Sequence, residues 1–301
     1  MKEKKVLLIV NPVSGTLGSR DAMFEALKVF CAEGWTVTTA LTQRRGHAIE
    51  LAEGAAARGY DLAVCCGGDG TLNETLTGLM ISRERTGSAV PCGYIPCGST
   101  NDFAATLGIS SEPAEAARAI IRSQGMPIDV GFFGGKRYFS YIASFGAFTQ
   151  ASYSAPQDLK NVVGHFAYIV EGLKDVQNLK PYRAKVWADG FSCTGDYIFG
   201  CVSNTRSIGG IVKLKEDEVG LDDGLFELIL IKNPMTTSDL SNIISGLFSS
   251  DFSSDVFEYV KTTRVRIEFE EPIYWSLDGE KVEGDRILDI QDLHRALTLM
   301  R

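Results

Sequence analysis

The chain has 301 residues, 45% hydrophobic and 23% charged, with a formal net charge of −8. That composition excludes a disordered chain and suits two domains, while the acidic balance excludes nucleic acid as a partner, since phosphate binding wants clustered Lys and Arg. No apolar run approaches the roughly 20 residues that span a bilayer, and the five apolar residues Val6–Val10 after a basic start are too few for a secretory signal, so a cytoplasmic protein is expected.

In chain order, Val6–Val10 reads as a buried strand, after which Ala22, Met23, Leu27 and Phe30 recur at helical spacing. Trp35–Ala40 is β-rich, Ala48, Leu51, Ala52 and Ala55 mark a second helix, and Asp61–Cys66 a third strand. Leu72, Leu76 and Leu79 fall at i, i+4 and i+7 of another helix, Gly93–Pro96 is a short strand, and helices are predicted over Asp102–Leu107 and Pro113–Arg122. Such alternation predicts a three-layer, parallel α/β domain with right-handed crossovers, whose ligands sit at the carboxyl ends of the strands.

Past Pro127 the pattern changes. Ile128–Phe133 and Lys136–Phe145 flank Gly134-Gly135, and Tyr182–Ala188 and Phe191–Ser203 flank Asp189-Gly190, both hairpin signals. Leu225–Ile231, Thr263–Phe269, Ile273–Leu277 and Arg286–Ile290 add strands, and helices are expected over Leu159–Val176 and Ser238–Leu247. The reading is an α/β domain over residues 1–127 and an antiparallel β-sandwich over 128–301, with the last residues packing back on the first domain. The seven cysteines (31, 65, 66, 92, 97, 193 and 201) show no CxxC spacing, which fits reduced, mostly buried thiols.

Three loops that follow strands carry the candidate chemistry. Asn11-Pro12-Val13-Ser14-Gly15 lacks the GxxxxGK[ST] pattern and read alone is a turn. Gly67-Gly68-Asp69-Gly70-Thr71-Leu72-Asn73-Glu74 places glycines where backbone can approach an anion, ahead of a helix start whose N–H groups favour phosphate. An Asp there would repel phosphate unless a cation lay between, which points to Mg²⁺; the alternative is a capped turn in which Asp69 and Thr71 satisfy the helix start. Pro96-Cys97-Gly98-Ser99-Thr100-Asn101-Asp102-Phe103 repeats the order of strand, glycine turn and helix, and by itself also fits an ordinary N-cap.

Together these loops resemble the catalytic domain of the diacylglycerol kinase family, which includes sphingosine and ceramide kinases. Asn11–Gly15 looks like its opening motif, Thr42 with Gly46-His47-Ala48 like its second, and Gly220-Leu221-Asp222-Asp223-Gly224-Leu225 and Leu277-Asp278-Gly279-Glu280 match two more. The resemblance implies an ATP-dependent lipid kinase with Mg²⁺. Nucleotide would be held by Asn11, Thr42, Gly67, Gly68, Asp69, Gly70, Thr71, Asn73, Ser99 and Asn101, and a structural Mg²⁺ by Gly220, Asp223 and Leu225. Asp278 and Glu280 would supply the catalytic carboxylates alongside Asp69, in a cleft between the domains. By local sequence alone, Asp278-Gly279 and Asp222-Asp223-Gly224 are hairpin turns. Departures are Ser99 in place of the usual Thr, Ala105 where Arg is common, and a first loop without its Lys, for which Arg20 is a stand-in.

The implied partner is a lipid hydroxyl, most readily diacylglycerol or a related glycerolipid, met by peripheral membrane contact during turnover. A NAD-kinase-like enzyme with a soluble acceptor and a non-catalytic nucleotide- or lipid-binding regulator are the alternatives. Ile243, Ile244, Leu247, Phe248 and Phe252 are candidates for the membrane-facing surface or, blandly, for packing on the β domain. An exposed strand edge in that domain would permit a homodimer.

Overall fold

A computed structural model describes residues 3–14, 19–98, 101–147, 180–205, 207–208, 212–214 and 219–301. They form two compact units: Met1–Val130 with Arg295–Arg301, and Gly131–His294. None of the helices among the described residues is long and apolar enough to cross a membrane.

The first unit is built on a parallel sheet. Its strands are β1 (Lys4–Val10), β2 (Trp35–Leu41), β3 (Leu62–Gly67) and β4 (Cys92–Pro96), in the order β2-β1-β3-β4. β1, β3 and β4 are almost entirely buried, which is why they read as continuous apolar runs rather than alternating ones. Between the strands run α1 (Ser19–Ala32), α2 (His47–Glu53) and α3 (Asp69–Thr86), with α4 (Asp102–Leu107) and α5 (Pro113–Arg122) following β4. The core joins Val6, Leu8 and Val64 of the sheet to Phe30 of α1 and Ala116, Ala117 and Ile120 of α5. The chain returns at its end, where Leu299 and Met300 pair parallel with Cys92 and Gly93.

The second unit is antiparallel. Its strands are β5 (Met126–Phe133, entering from the first unit), β6 (Arg137–Phe139), β7 (Ile142–Gly146), β8 (Tyr182–Ala188), β9 (Phe191–Ser203), β10 (Ser207–Ile208), β11 (Val212–Lys213), β12 (Phe226–Lys232), β13 (Phe257–Thr262), β14 (Arg264–Phe269), β15 (Tyr274–Leu277), β16 (Glu280–Glu283) and β17 (Ile287–Met300, leaving for the first unit), with α6 (Thr237–Ser249) between β12 and β13. The long β9 pairs with β8 through its first half and with β7 and β12 through its second. Trp275, fully buried, makes edge contacts with Phe133, Phe145 and Phe269 at the centre of the core.

Three expectations need correction. The single strand over Lys136–Phe145 is two, because the chain turns at Ser140 and Tyr141, whose N–H groups go to the carboxylate of Asp278 instead of a ladder. β13 was not foreseen: its burial hardly alternates, so it carries no period-2 signature. The last strand runs on to Met300 rather than ending at Ile290. The helix expected over Leu159–Val176 lies outside the described residues. In α6, Ile243 and Leu247 are buried, so they pack as ordinary core, Ile244 is half-buried and only Phe248 is well exposed, at 65%, while Phe252 beyond the helix meets Phe257 edge-on and Tyr259 at a tilt.

α3 crosses α2 closely at Gly78. A Cβ there would lie 2.4 Å from the Ile49 carbonyl oxygen and 2.7 Å from Ala52 Cβ, both fixed parts of α2. Gly78→Ala is therefore expected to lower stability by about 1–3 kcal/mol, the usual cost of overpacking, read as a lower midpoint in urea unfolding.

Candidate active site

All the loops singled out in the first unit lie at the carboxyl edge of its parallel sheet, where ligands bind in folds of this class. β3 ends at Gly67 and β4 at Pro96, adjacent and in register, and the N–H of Cys97 donates to the Gly67 carbonyl at 2.8 Å. The loops then touch through bare backbone. A Cβ on Gly98 would sit 2.6 Å from Gly68 Cα, so no larger residue fits without parting them. Here glycine is demanded by the approach of another chain segment.

Side chains brace this contact from three directions. Ser14 Oγ accepts from the Gly68 N–H at 3.1 Å, and Asn11 donates to Thr71 Oγ1 at 3.0 Å, which ties the loop after β1 to the start of α3. Asn101 has a left-handed backbone (φ 52°), and its amide both accepts from Gly98 N–H (2.9 Å) and donates to the Gly98 carbonyl (2.8 Å). Glu74 accepts from the N–H groups of Gly46 (2.7 Å) and Ala48 (3.2 Å), fixing the start of α2. Thr42, just past β2, is held by its own N–H to the Val10 carbonyl at 2.8 Å.

α3 opens at Gly68 with no side-chain cap. Asp69 stands half-buried in its first turn, where Oδ1 receives the Tyr94 hydroxyl and the Phe103 N–H, each at 3.4 Å. The arrangement suits anionic oxygens on backbone amides, with a carboxylate beside them to hold a hard cation. Asn11, Thr42, Gly67, Gly68, Asp69, Gly70, Thr71, Asn73 and Asn101 are thus gathered on one edge; Ser99 lies outside the described residues, as does the side chain of Arg20. Tyr94 and Glu74 were not among the residues expected to act. Tyr94 left no trace beyond an aromatic in a buried strand, whereas Glu74 was visible as the last residue of its motif.

In the second unit the Asp278-Gly279 turn joins β15 to β16, with Leu277 opposite Glu280 and positive φ at both turn residues (47° and 85°). This is the two-residue hairpin that an Asp-Gly pair favours. Its two carboxylates differ sharply. Asp278 is fully buried and accepts from Ser140 N–H and Oγ on Oδ2 (2.6 Å each) and from Tyr141 and Ile142 N–H on Oδ1 (3.0 Å each). Burial pushes its pKa up, and those four donors pull it back. Both oxygens are committed to holding the chain between β6 and β7. Glu280 is only half-buried, at the start of β16.

The loop Gly220–Leu225 wraps Asp223, whose carboxylate lies where a Gly220 side chain would begin (2.7 Å from an ideal Cβ) and accepts from the Leu225 N–H at 3.1 Å. Its donors are oxygens, which fits Mg²⁺ chemistry; among the described residues no three His, Cys, Asp or Glu side chains group to hold a metal. Directly after it, Glu227 is fully buried with neither oxygen hydrogen-bonded. Burial pushes its pKa up to about 8, with the charge of Lys261 opposing the shift and those of Asp223 and Asp292 adding to it. A Glu inside the apolar run Phe226–Ile231 was its only sequence signal.

Comparison with known proteins agrees with this geometry. The diacylglycerol kinase catalytic domain matches residues 5–133, and the YegS C-terminal NAD kinase beta sandwich-like domain matches residues 143–300. The diacylglycerol kinase of Bacillus subtilis (strain 168) is 34% identical over 278 residues, 92% of this chain and 90% of that protein. That of Staphylococcus aureus (strain MRSA252) is 30% identical, covering 92% and 86%. A crystal structure from Bacillus anthracis str. Sterne, of a provisionally assigned diacylglycerol kinase, superposes with a TM-score of 0.82 at 25% identity, covering 100% of this chain and 97% of that one. A chain that places the family's N-terminal motifs on one sheet edge, and matches its members along nearly its whole length, belongs to the diacylglycerol kinase family and is an ATP-dependent kinase.

Proposed function

We propose that the protein transfers the γ-phosphate of ATP to the hydroxyl of a membrane lipid, diacylglycerol or a related glycerolipid, at the membrane surface. The observation that carries this reading is the pair of glycine loops in backbone contact at the ends of β3 and β4, with α3 opening directly behind the first. Backbone amides of Gly67–Thr71 bind the phosphates without a Cβ in the way, and Asn101 and Ser14 hold the loops at fixed separation. Asn11, Thr42, Asn73 and Ser99 complete the nucleotide contacts.

In the second unit, Glu280 accepts the proton of the attacking hydroxyl, which makes a poor nucleophile competent. Asp278 serves as a positioning residue, because its oxygens are already spent on four donors. Asp69 offers the hard oxygens that Mg²⁺ takes beside the phosphate loops, where a bound ion would offset charge on the phosphates, and the Asp223 loop offers them to a separate, structural Mg²⁺.

The test is transfer of labelled γ-phosphate from ATP into a total bacterial lipid extract, with and without Mg²⁺. A labelled lipid that disappears on chelation supports the reading; label found only in NAD or another soluble acceptor replaces it. Glu280→Gln is expected to cut kcat by about 10²–10⁴-fold, the range for a lost general base, while changing stability by less than about 0.5 kcal/mol. Asp278→Asn turns an NH₂ toward backbone donors and is expected to cost about 1–3 kcal/mol of stability for the unmet groups. Were Asp278→Asn as stable as the wild type yet inactive, the role of base would move to Asp278.

Gly98→Ala tests the phosphate loops directly. Its Cβ would strike Gly68 Cα and Asn101 Oδ1, at 2.6 and 2.7 Å. The KM for ATP should rise at least about tenfold, equivalent to about 1.4 kcal/mol, and an unchanged KM would remove these loops from the nucleotide site.

A further inference from the structure

Two of the seven cysteines stand immediately before the glycine loops. Cys66 is the penultimate residue of β3, and Cys97 directly follows β4. Their sulfurs are 3.1 Å apart, about 1 Å longer than a disulfide bond of roughly 2.05 Å. Among the described residues no other pair of cysteines brings sulfur to sulfur: Cys92 turns to the Gly93 carbonyl, Cys193 meets the Tyr197 hydroxyl, and Cys31 is exposed on α1.

We infer that Cys66 and Cys97 are a thiol–disulfide modification site, oxidised by hydrogen peroxide and restored by a dithiol reductant. Cys97 is half-buried while Cys66 is fully buried, so the oxidant reaches Cys97 first. The contact between the two sulfurs lowers the Cys97 pKa, and the same contact together with burial raises that of Cys66, so the reachable sulfur is also the better thiolate. The Cys97 thiolate attacks one peroxide oxygen, the O–O bond breaks, and after protonation a sulfenic acid and water result. The Cys66 sulfur then attacks the sulfenic sulfur; the S–S bond forms, the S–O bond breaks, and hydroxide leaves with the Cys66 proton as a second water. Two thiols are oxidised and one peroxide is reduced. A dithiol reverses this by exchange through a mixed disulfide.

Closing the sulfurs by about 1 Å acts on a structure without slack. Cys97 is bonded to Gly98, which already touches Gly68 through backbone, and its own N–H is held by the Gly67 carbonyl. Oxidation therefore displaces the phosphate loops and suppresses turnover, a consequence that rests on the kinase reading, whereas the disulfide itself does not.

The experiment treats the reduced full-length protein with hydrogen peroxide, blocks remaining thiols, and maps tryptic peptides by mass before and after a dithiol. A peptide pair joined through Cys66 and Cys97, two hydrogens lighter and released by the dithiol, is expected. Phosphotransfer should fall on the order of 10²-fold, the scale of a 1 Å misplacement near a reacting centre, and recover on reduction. Cys97→Ser should keep its activity through the same treatment and give no joined peptide; Cys66→Ala should stop at the Cys97 sulfenic acid, trapped by dimedone. No joined peptide from the wild type overturns the site, and a joined peptide with unaltered ATP affinity and turnover overturns its control of the loops. If the reduced protein transfers no phosphate to any acceptor, the kinase reading fails while the peptide map still decides the cysteine pair.

Discussion

Gly68 and Gly98 meet through backbone, and that contact sets what the rest of the first unit must do. Two loops from neighbouring parallel strands can approach so closely only if neither has a side chain at the crossing. Glycine, however, is free to leave such a conformation, so the order has to come from elsewhere. It comes from polar side chains that take backbone groups as partners, Ser14 for Gly68 and Asn101 for both polar groups of Gly98, and from one backbone bond, Cys97 N–H to the Gly67 carbonyl. The motifs read along the sequence are in this sense one structure, because each supplies the restraint that another's glycines lack.

The second unit uses the same device with the charge placed inside. Asp278 is buried, and a carboxylate in that position is tolerated only because four donors converge on it. Those donors come from the break between β6 and β7, so the carboxylate shapes a strand end while its own turn presents Glu280 at the start of β16. One acid is consumed in building and the next but one is left half-exposed. This division is invisible in the string Leu277-Asp278-Gly279-Glu280, where both acids look equally suited to take a proton.

Much of the fold was legible because burial on both faces writes continuous apolar runs, as in β1, β3 and β4, and because Asp189-Gly190 and Asp278-Gly279 are turns with a conformational reason. What escaped was of two kinds. Strand edges decided at a distance could not be read locally: the break at Ser140 depends on a residue 138 positions later. Single polar residues inside apolar strands were also missed. Tyr94 and Glu227 matter through what lies across the sheet or beside it, and a strand's period carries no record of that. The candidate site could be read in the sequence from its glycines and acids, and was hidden where a backbone amide or a tyrosine hydroxyl does the holding.

The acids of Gly67–Glu74 have a further consequence. Glu74 holds the first amides of α2, and Asp69 faces Phe103 N–H in the first turn of α4. Two carboxylates on α3 thus serve the N-termini of two neighbouring helices, as their dipoles favour, while α3 itself begins at a glycine with no side-chain cap. By contrast α6, remote in sequence from the motifs, closes its own start with a full capping box of Thr236 and Asp239. Asp69 thus sits in the first turn of its own helix and faces that of α4, where helix dipoles lower the cost of its charge. Its Oδ1 receives Tyr94 and Phe103 at 3.4 Å, longer than the 2.6–3.0 Å of the four donors on Asp278. Among these contacts the donors on Asp278 are the shorter and so the stronger, and that is what fits Asp278 to architecture.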